Sequence, residues 1–246
     1  MDGNLSLLAE ARTRWERWAG VPASFGPVGG QRTVLAPRSG LCPDGWVGVV
    51  ALGGAGLVTV PTEEAAGVVG AALAGWPAGR AVTAAALREP LPAAEVLGPA
   101  TLAYLAPAEF RPVAAGVGAG VDQLPGHHPA VRELELRVEP AEAAEADVGG
   151  VTSPAFVVRD GARVLAAAGY QHWPEGVAHL HALTDGGWRG RGLARATASA
   201  AVAHALAAGL LPQWRARPAA SRRVARALGF RELGDQLSLR LAAPPH

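Results

Sequence analysis

The 246-residue chain has no lysine and no isoleucine, one cysteine, one methionine and two tyrosines. Each shortage excludes something. Without lysine there can be no Walker phosphate loop, whose last glycine is followed by Lys. A single Cys42 excludes an internal disulfide and a cysteine-based zinc site. There is also no excess of one charge: 22 basic and 21 acidic side chains leave a net +1, against the strong basic surplus of a dedicated nucleic-acid binder. No apolar run reaches the ~20 residues of a membrane span, because Gly interrupts "WVGVVALGGAGLVTV". The start, "MDGNLSLLAEARTRWERWAG", reads as an amphipathic helix and not as a basic segment followed by an apolar one. A cytoplasmic protein is expected, without nucleic-acid or membrane partners.

What is present is apolar and flexible-turned: half the residues are hydrophobic, with 32 Gly and 20 Pro. A chain of this length and composition folds as one large domain or two small ones. After the first helix, two β-like runs flank "GGAG" at 53–56, which a strand follows, so it reads as a hairpin turn. Thr62 with Glu63 and Glu64 opens a helix, a second follows Thr83, and "ATLAYLA" at 100–106 is a short strand. The turn-rich stretch 110–129 places a boundary between an N-terminal α+β domain, 1–118, and a second domain, 119–246. In the second domain "PAVRELELRV" fits strand or helix, and "PAEAAEADV" is a short helix with Pro140 in its first turn. "AFVVRDGARVL" is a hairpin about Asp160-Gly161, and "GVAHLHALT" another strand. A Gly-rich turn, a helix, "PQWRA", the helix "AASRRVARAL" and the alternating "FRELGDQLSLRL" follow. The order β-β-β-α-β-α-β implies a mixed sheet with helices packed on it.

The informative segment is "DGGWRGRGLARATASAAVAHAL", 185–206, a strand leading through two glycines into an alanine-rich helix. Such a turn presents free backbone N–H groups at the positive end of a helix, an anion site. A dinucleotide fingerprint is excluded: there is no third glycine at the required spacing and no acidic residue ending the next strand.

Arg189-Gly190-Arg191-Gly192-Leu193-Ala194 instead resembles the pyrophosphate loop of the GNAT acetyltransferases, Arg/Gln-x-x-Gly-x-Gly/Ala. "S-x-x-V-A-x-x-L-G-F", Ser221 to Phe230, is similar to a second GNAT motif at the expected distance. The resemblance covers roughly 150–241. It implies an α/β (α+β) fold with a mixed, mostly antiparallel sheet flanked by helices, behind a divergent α+β N-terminal half that could be a degenerate second lobe. It further implies direct, metal-free acetyl transfer from acetyl-CoA to a primary amine of a small molecule or a protein. The pantetheine would pair with Ala182, Leu183 and Thr184, and the pyrophosphate with amides of Arg189, Gly190, Arg191, Gly192, Leu193 and Ala194. Ser221 either contacts CoA or caps its helix, and Trp188 either covers the cofactor or anchors the turn. A homodimer is compatible with all of this.

Three positions depart from the family pattern. Where many members carry a Glu on the central strand this chain has Ala178, and where many carry a Tyr before "LGF" it has Ala225; Pro218 replaces a frequent Asn. His179 and His181 share a strand face and are replacement bases, or else hydrogen-bonded core histidines. Glu175 is a third candidate base, or a solvated loop charge. Asp185 reads as a turn former, and His127-His128 as a surface loop, not a metal pair. Loss of the Glu and the Tyr also suits a protein that binds acyl-CoA without turning it over, as a sensor or partner-binding module.

Overall fold

The computed structural model describes residues 2–77, 79–113 and 120–242. The boundary expected at 118/119 lies outside the described residues. The contacts divide the chain elsewhere, into unit 1 (1–102 and 232–246) and unit 2 (103–231). The last strand, assigned from sequence to the second domain, is therefore part of unit 1.

In unit 1, helix α1 (Asp2–Trp18) buries Leu7, Ala11 and Trp15, one face at four-residue spacing. Strand β1 (Gln31–Leu35) runs parallel to β3 (Ala55–Val60), and β3 pairs antiparallel with β2 (Val47–Leu52). The β2–β3 turn is Gly53-Gly54, with φ of 56° and 76°, the left-handed pair that suits a two-residue hairpin. Thr62 caps α2 (Glu63–Leu73) by accepting from the Ala65 N–H at 3.1 Å, and Thr83 caps α3 (Ala84–Arg88) in the same way. The strand read at 100–106 begins earlier, as β4 (Ala93–Tyr104).

In unit 2, the ambiguous "PAVRELELRV" is helix α4 (Pro129–Glu135), and α5 (Pro140–Ala146) starts at its proline as expected. His128 Nδ1 accepts from the Ala130 N–H at 3.2 Å, so this histidine is the α4 cap. Strands β5 (Asp122–Leu124), β6 (Ala155–Asp160), β7 (Arg163–Trp173) and β8 (Val177–Thr184) form an antiparallel succession. The β6–β7 turn differs in detail from expectation. Asp160 pairs with Arg163 as the last β6 residue, and Gly161, φ 58°, opens the two-residue turn. Helix α6 (Leu193–Ala207) then leads to β9 (Leu211–Ala216), which runs parallel to β8, and to α7 (Ala219–Ala227). The sheet order is β9-β8-β7-β6-β5.

The last strand, β10 (Arg231–Leu241), pairs antiparallel with β2, from Gly234 opposite Leu52 to Leu239 opposite Val47. Gly234 is required there, since a Cβ would lie 1.8 Å from the Ala51 carbonyl oxygen. The unit 1 sheet order is thus β1-β3-β2-β10-β4.

Two apolar layers sandwich the unit 2 sheet. On one face the small residues of α6 (Ala198, Ala201, Val202, Ala205) meet Ala168, Tyr170, Ala178 and Leu180. On the other, Val131 and Leu134 of α4 pack with Val157, Val164, Ala167 and Leu183. The alanine-rich helix is explained by this closeness: its alanines, without γ-carbons, let its backbone lie near the sheet. No helix among the described residues is long and apolar enough to cross a membrane.

Candidate active site

β8 pairs with β7 along its whole length, from Trp173↔Val177 to Ala166↔Thr184. With β9 it pairs over three positions only, ending at His179↔Gln213. Beyond that point the two parallel strands part. Leu180–Thr184 on one side and Trp214–Ala216 on the other then line a cavity of about 460 Å³, closed by the 188–195 turn, α5 and α7.

The turn is built from its own sequence. Asp185 accepts from the Gly187 N–H at 3.3 Å and so bends the chain as β8 ends. Its Oδ2 also accepts from Arg163 Nη2 at 2.8 Å and Arg137 Nε at 3.1 Å. The Arg163 hydrogen bond is the main reason its carboxyl is held below the ordinary range. Gly190 and Gly192 follow with φ of 75° and 80°, and a Cβ added at either would meet nothing within 4 Å. Glycine is kept by conformation, and it leaves an open cradle on the cavity wall. Gly192 accepts the first helical hydrogen bond of α6, from Ala196. No backbone N–H from Arg189 to Arg195 has a protein acceptor among the described residues. Free donors at a helix start, over open space, are an anion site. The Arg189 guanidinium is bound to Glu142 of α5, and Arg191 lies 4.5 Å over the Trp188 ring. Trp188 therefore both anchors the turn and lines the cavity.

The expected cofactor-contacting residues come together here. Ala182, Leu183, Thr184, Arg189, Gly190, Gly192, Leu193, Ala194 and Ser221 all line the cavity; Arg191 does not. The hydroxyl of Thr184 is buried with no hydrogen-bond partner among the described residues. Ser221 is no cap. Pro218 holds that position in α7, and Ser221 Oγ accepts from the Trp214 indole N–H at 2.9 Å. The bond ties α7 to the end of β9.

The candidate bases separate. Glu175 lies exposed in the β7–β8 turn, at φ 62°, away from the cavity lining. His179 is buried, stacked on Trp173 with ring centroids 4.0 Å apart, and its Nδ1–H donates to Gln213 Oε1 at 3.0 Å. Gln213 in turn donates to the Tyr104 hydroxyl at 2.9 Å. Burial, then the neighbouring His181, hold His179 well below its ordinary pKa. It is a satisfied core histidine and does not line the cavity.

His181 does line it. Its Nδ1 is 2.8 Å from the Ala146 carbonyl, which can only accept, so the proton sits on Nδ1. Nε2 then carries a lone pair, and it is buried with no hydrogen-bond partner among the described residues. Burial keeps the ring neutral by lowering its pKa, the Ala146 bond opposing this in part. A neutral imidazole of fixed tautomer that lines the cavity and has an unsatisfied acceptor is equipped to take a proton.

Ala178 and Ala225 are both buried in the α6-side core and offer nothing to the cavity. Neither tyrosine lines it: Tyr104 accepts from Gln213, and Tyr170 is hydrogen-bonded to His204 at 2.9 Å. Missed by sequence reasoning were Glu142, Glu145, Trp214 and Arg215. The two glutamates carry a signal, three apart on one helical face of "PAEAAEADV", but nothing local says what that face meets. Cys42, in unit 1, is pushed by burial up to about 11 and is a protonated thiol at neutral pH.

Residues 155–235 match the model of the family described as GNAT acetyltransferase. Among solved structures, one from Novosphingobium aromaticivorans, described as of the GNAT family, is similar at 24% identity and a TM-score of 0.48, over 60% of this chain and 65% of that one. A GCN5-related N-acetyltransferase from Kribbella flavida is similar at 16% identity and a TM-score of 0.47, over 61% and 60%. An acetyltransferase from the GNAT family of Colwellia psychrerythraea is similar at 13% and 0.45, over 64% and 61%. The chain thus spans less than two thirds of the length of each of these structures. No curated protein matches it.

Proposed function

Because the C-terminal part of this chain carries a GNAT-superfamily core, we propose that the protein is an N-acetyltransferase that moves an acetyl group from acetyl-CoA directly to a primary amine. One observation carries the reading. The cradle of free amides at 189–195 and the ring of His181, whose Nε2 has no hydrogen-bond partner among the described residues, line one cavity along the open edge of β8.

The residues fit the co-substrate. Amides of Arg189 to Ala194 would take the pyrophosphate, with the α6 dipole behind them. The unpaired edge of β8 at Ala182, Leu183 and Thr184 would hold the pantetheine arm. An N–H of the same edge would stabilise the oxyanion as the amine adds to the thioester carbon. The amine nitrogen forms the new C–N bond, the C–S bond breaks, and His181 Nε2 takes the proton released. The thiolate takes its proton from solvent, since no tyrosine faces the cavity. Residues of the cavity suffice for the transfer, and no metal is invoked. Cys42, protonated and outside the cavity lining, has no part in it. A chain with one thiol and no disulfide suits the cytoplasm. The acceptor is an amine of a small molecule or of a protein.

The test is calorimetric titration with acetyl-CoA, then thiol release across a panel of amines. Binding with amine-dependent release supports the enzyme, whereas absence of binding refutes the whole reading. Binding with no turnover on any amine would favour the second reading, an acyl-CoA sensor. Ala178 and Ala225 favour that reading, since they remove the acid–base pair many relatives of this type use.

A further inference from the structure

His181 is a base only while its proton stays on Nδ1, because the other tautomer blocks the lone pair on Nε2. What holds it there is one carbonyl, that of Ala146, the last residue of α5. Helix α5 is a seven-residue segment with no fully buried residue, and Ala146, at its end, is partly buried against the apolar layer that α4 forms with the sheet. Polar contacts add to that packing.

Two ion pairs supply them. Glu142 and Glu145 lie three residues apart on one face, and each meets an arginine of a different segment. Glu142 binds Arg189 in the glycine turn, and Glu145 binds Arg217, just after β9. The second is a two-point contact: Arg217 Nε reaches Oε1 at 3.2 Å while Nη2 meets Oε2. Such a fork fixes orientation as well as distance. Glu145 is also the residue immediately before Ala146. The pairs differ in what a ligand does to them. An anion in the 189–195 cradle competes with Glu142 for Arg189, whereas Arg217 lies outside the cavity lining and keeps Glu145.

We infer that Glu145 and Arg217 are positioning residues. Their ion pair holds the end of α5, and with it the Ala146 carbonyl, against His181 Nδ1, and so keeps Nε2 free. The inference rests on His181 being the base of the proposed transfer. Glu142 serves instead as an internal anion on the phosphate turn, displaced when the co-substrate binds.

Imidazole ¹⁵N spectra of the full chain test the contact without any substrate. In the wild type, His181 shows a single Nδ1–H tautomer. In Glu145→Gln and Arg217→Gln it becomes a mixture with Nε2–H, while Glu142→Gln leaves it unchanged. With an amine acceptor, Glu145→Gln and Arg217→Gln lower kcat about ten- to a hundredfold and leave the KM for acetyl-CoA unchanged. The double variant is no worse than either single, and Glu142→Gln lowers the KM for acetyl-CoA. Both pairs are largely at the surface, so the variants fold, which a thermal melt checks. A single Nδ1–H tautomer retained in Glu145→Gln and Arg217→Gln would overturn the inference. A shifted tautomer in a protein that turns over no amine would uphold the contact and refute the acetyltransferase instead.

Discussion

The strand pairs β2–β3 and β8–β9 show how one kind of element builds two different things. In unit 1, β2 and β3 pair from Gly48↔Thr59 to Leu52↔Ala55, turn through two glycines, and are buried at all twelve positions. Both strands are paired on both edges, β2 with β3 and β10, and β3 with β2 and β1, and what they contribute is packing. In unit 2, β8 and β9 are joined by α6, not by a tight turn, and they part after three pairs. The parting leaves backbone donors unused, admits His181 to the cavity, and places the start of α6 at its edge. A closed ladder is a core, and an interrupted one is a site.

Breaking the chemistry of the open pair has the largest expected effect. His181→Gln keeps the ring's size roughly and removes the base, so kcat/KM falls about 10²- to 10⁴-fold. Calorimetry should find acetyl-CoA binding unaffected. If kcat/KM stays within a few-fold, as judged on the scale of general-base effects, His181 is not the base.

The closed pair should respond in stability alone. Leu57 is completely buried in β3, and Leu57→Ala should cost about 2–5 kcal/mol in a denaturant titration. Acetyl-CoA affinity, measured where the variant is still folded, should stay at the wild-type value.

Next is the cradle. Gly192→Val combines a β-branched residue at φ 80° with a side chain in the open space above the turn. Acetyl-CoA affinity should fall about a hundredfold, because the side chain stands where the ligand's anion would lie and the turn must reshape to relieve strain of about 1–3 kcal/mol. Gly53→Val, also at positive φ but in the β2–β3 turn, should lower the melting temperature and spare affinity.

A smaller effect is expected with pH. Burial lowers the pKa of His181 below 6.5, with His179 stacked edge-on at 4.7 Å, Arg215 opposing its charge, and Asp147 and Glu135 favouring it. The neutral, active ring therefore persists below pH 6.5, and the acid limb of kcat/KM should lie under that value. Stability carries the same sign. The unfolded chain takes up a proton near 6.5 and the folded one only lower, so stability falls as pH drops from 6.5 through the folded pKa. His181→Gln should flatten that part of the stability curve.

The smallest change is Asp185→Asn. Its lowered pKa means its contribution is present above the ordinary 3.8 and is lost as pH falls through the folded value. The variant should be less stable than wild type at neutral pH and converge with it in acid.

Much of this was legible from local pattern. The helix starts at Thr62, Thr83 and Pro140, the Gly53-Gly54 turn, the glycine-arginine turn and the shared face of His179 and His181 are each set within a few residues. Local signals failed where a distant partner decides. Ser221 fits a cap, and the Trp214 indole takes its oxygen. His179 and His181 are alike in sequence, yet Gln213 and Trp173 enclose one while only the end of α5 touches the Nδ1 of the other.

Sequence alone thus determined the order of the elements, the residues that turn the chain, and the anion-binding character of 189–195, because φ preference and free helix-start amides are local properties. Tertiary structure decided that the last strand joins β2 in unit 1, that β8 and β9 part after His179, and which histidine keeps an open lone pair. Strand pairing and burial depend on residues far apart in the chain, and no local period records which strand will be the neighbour.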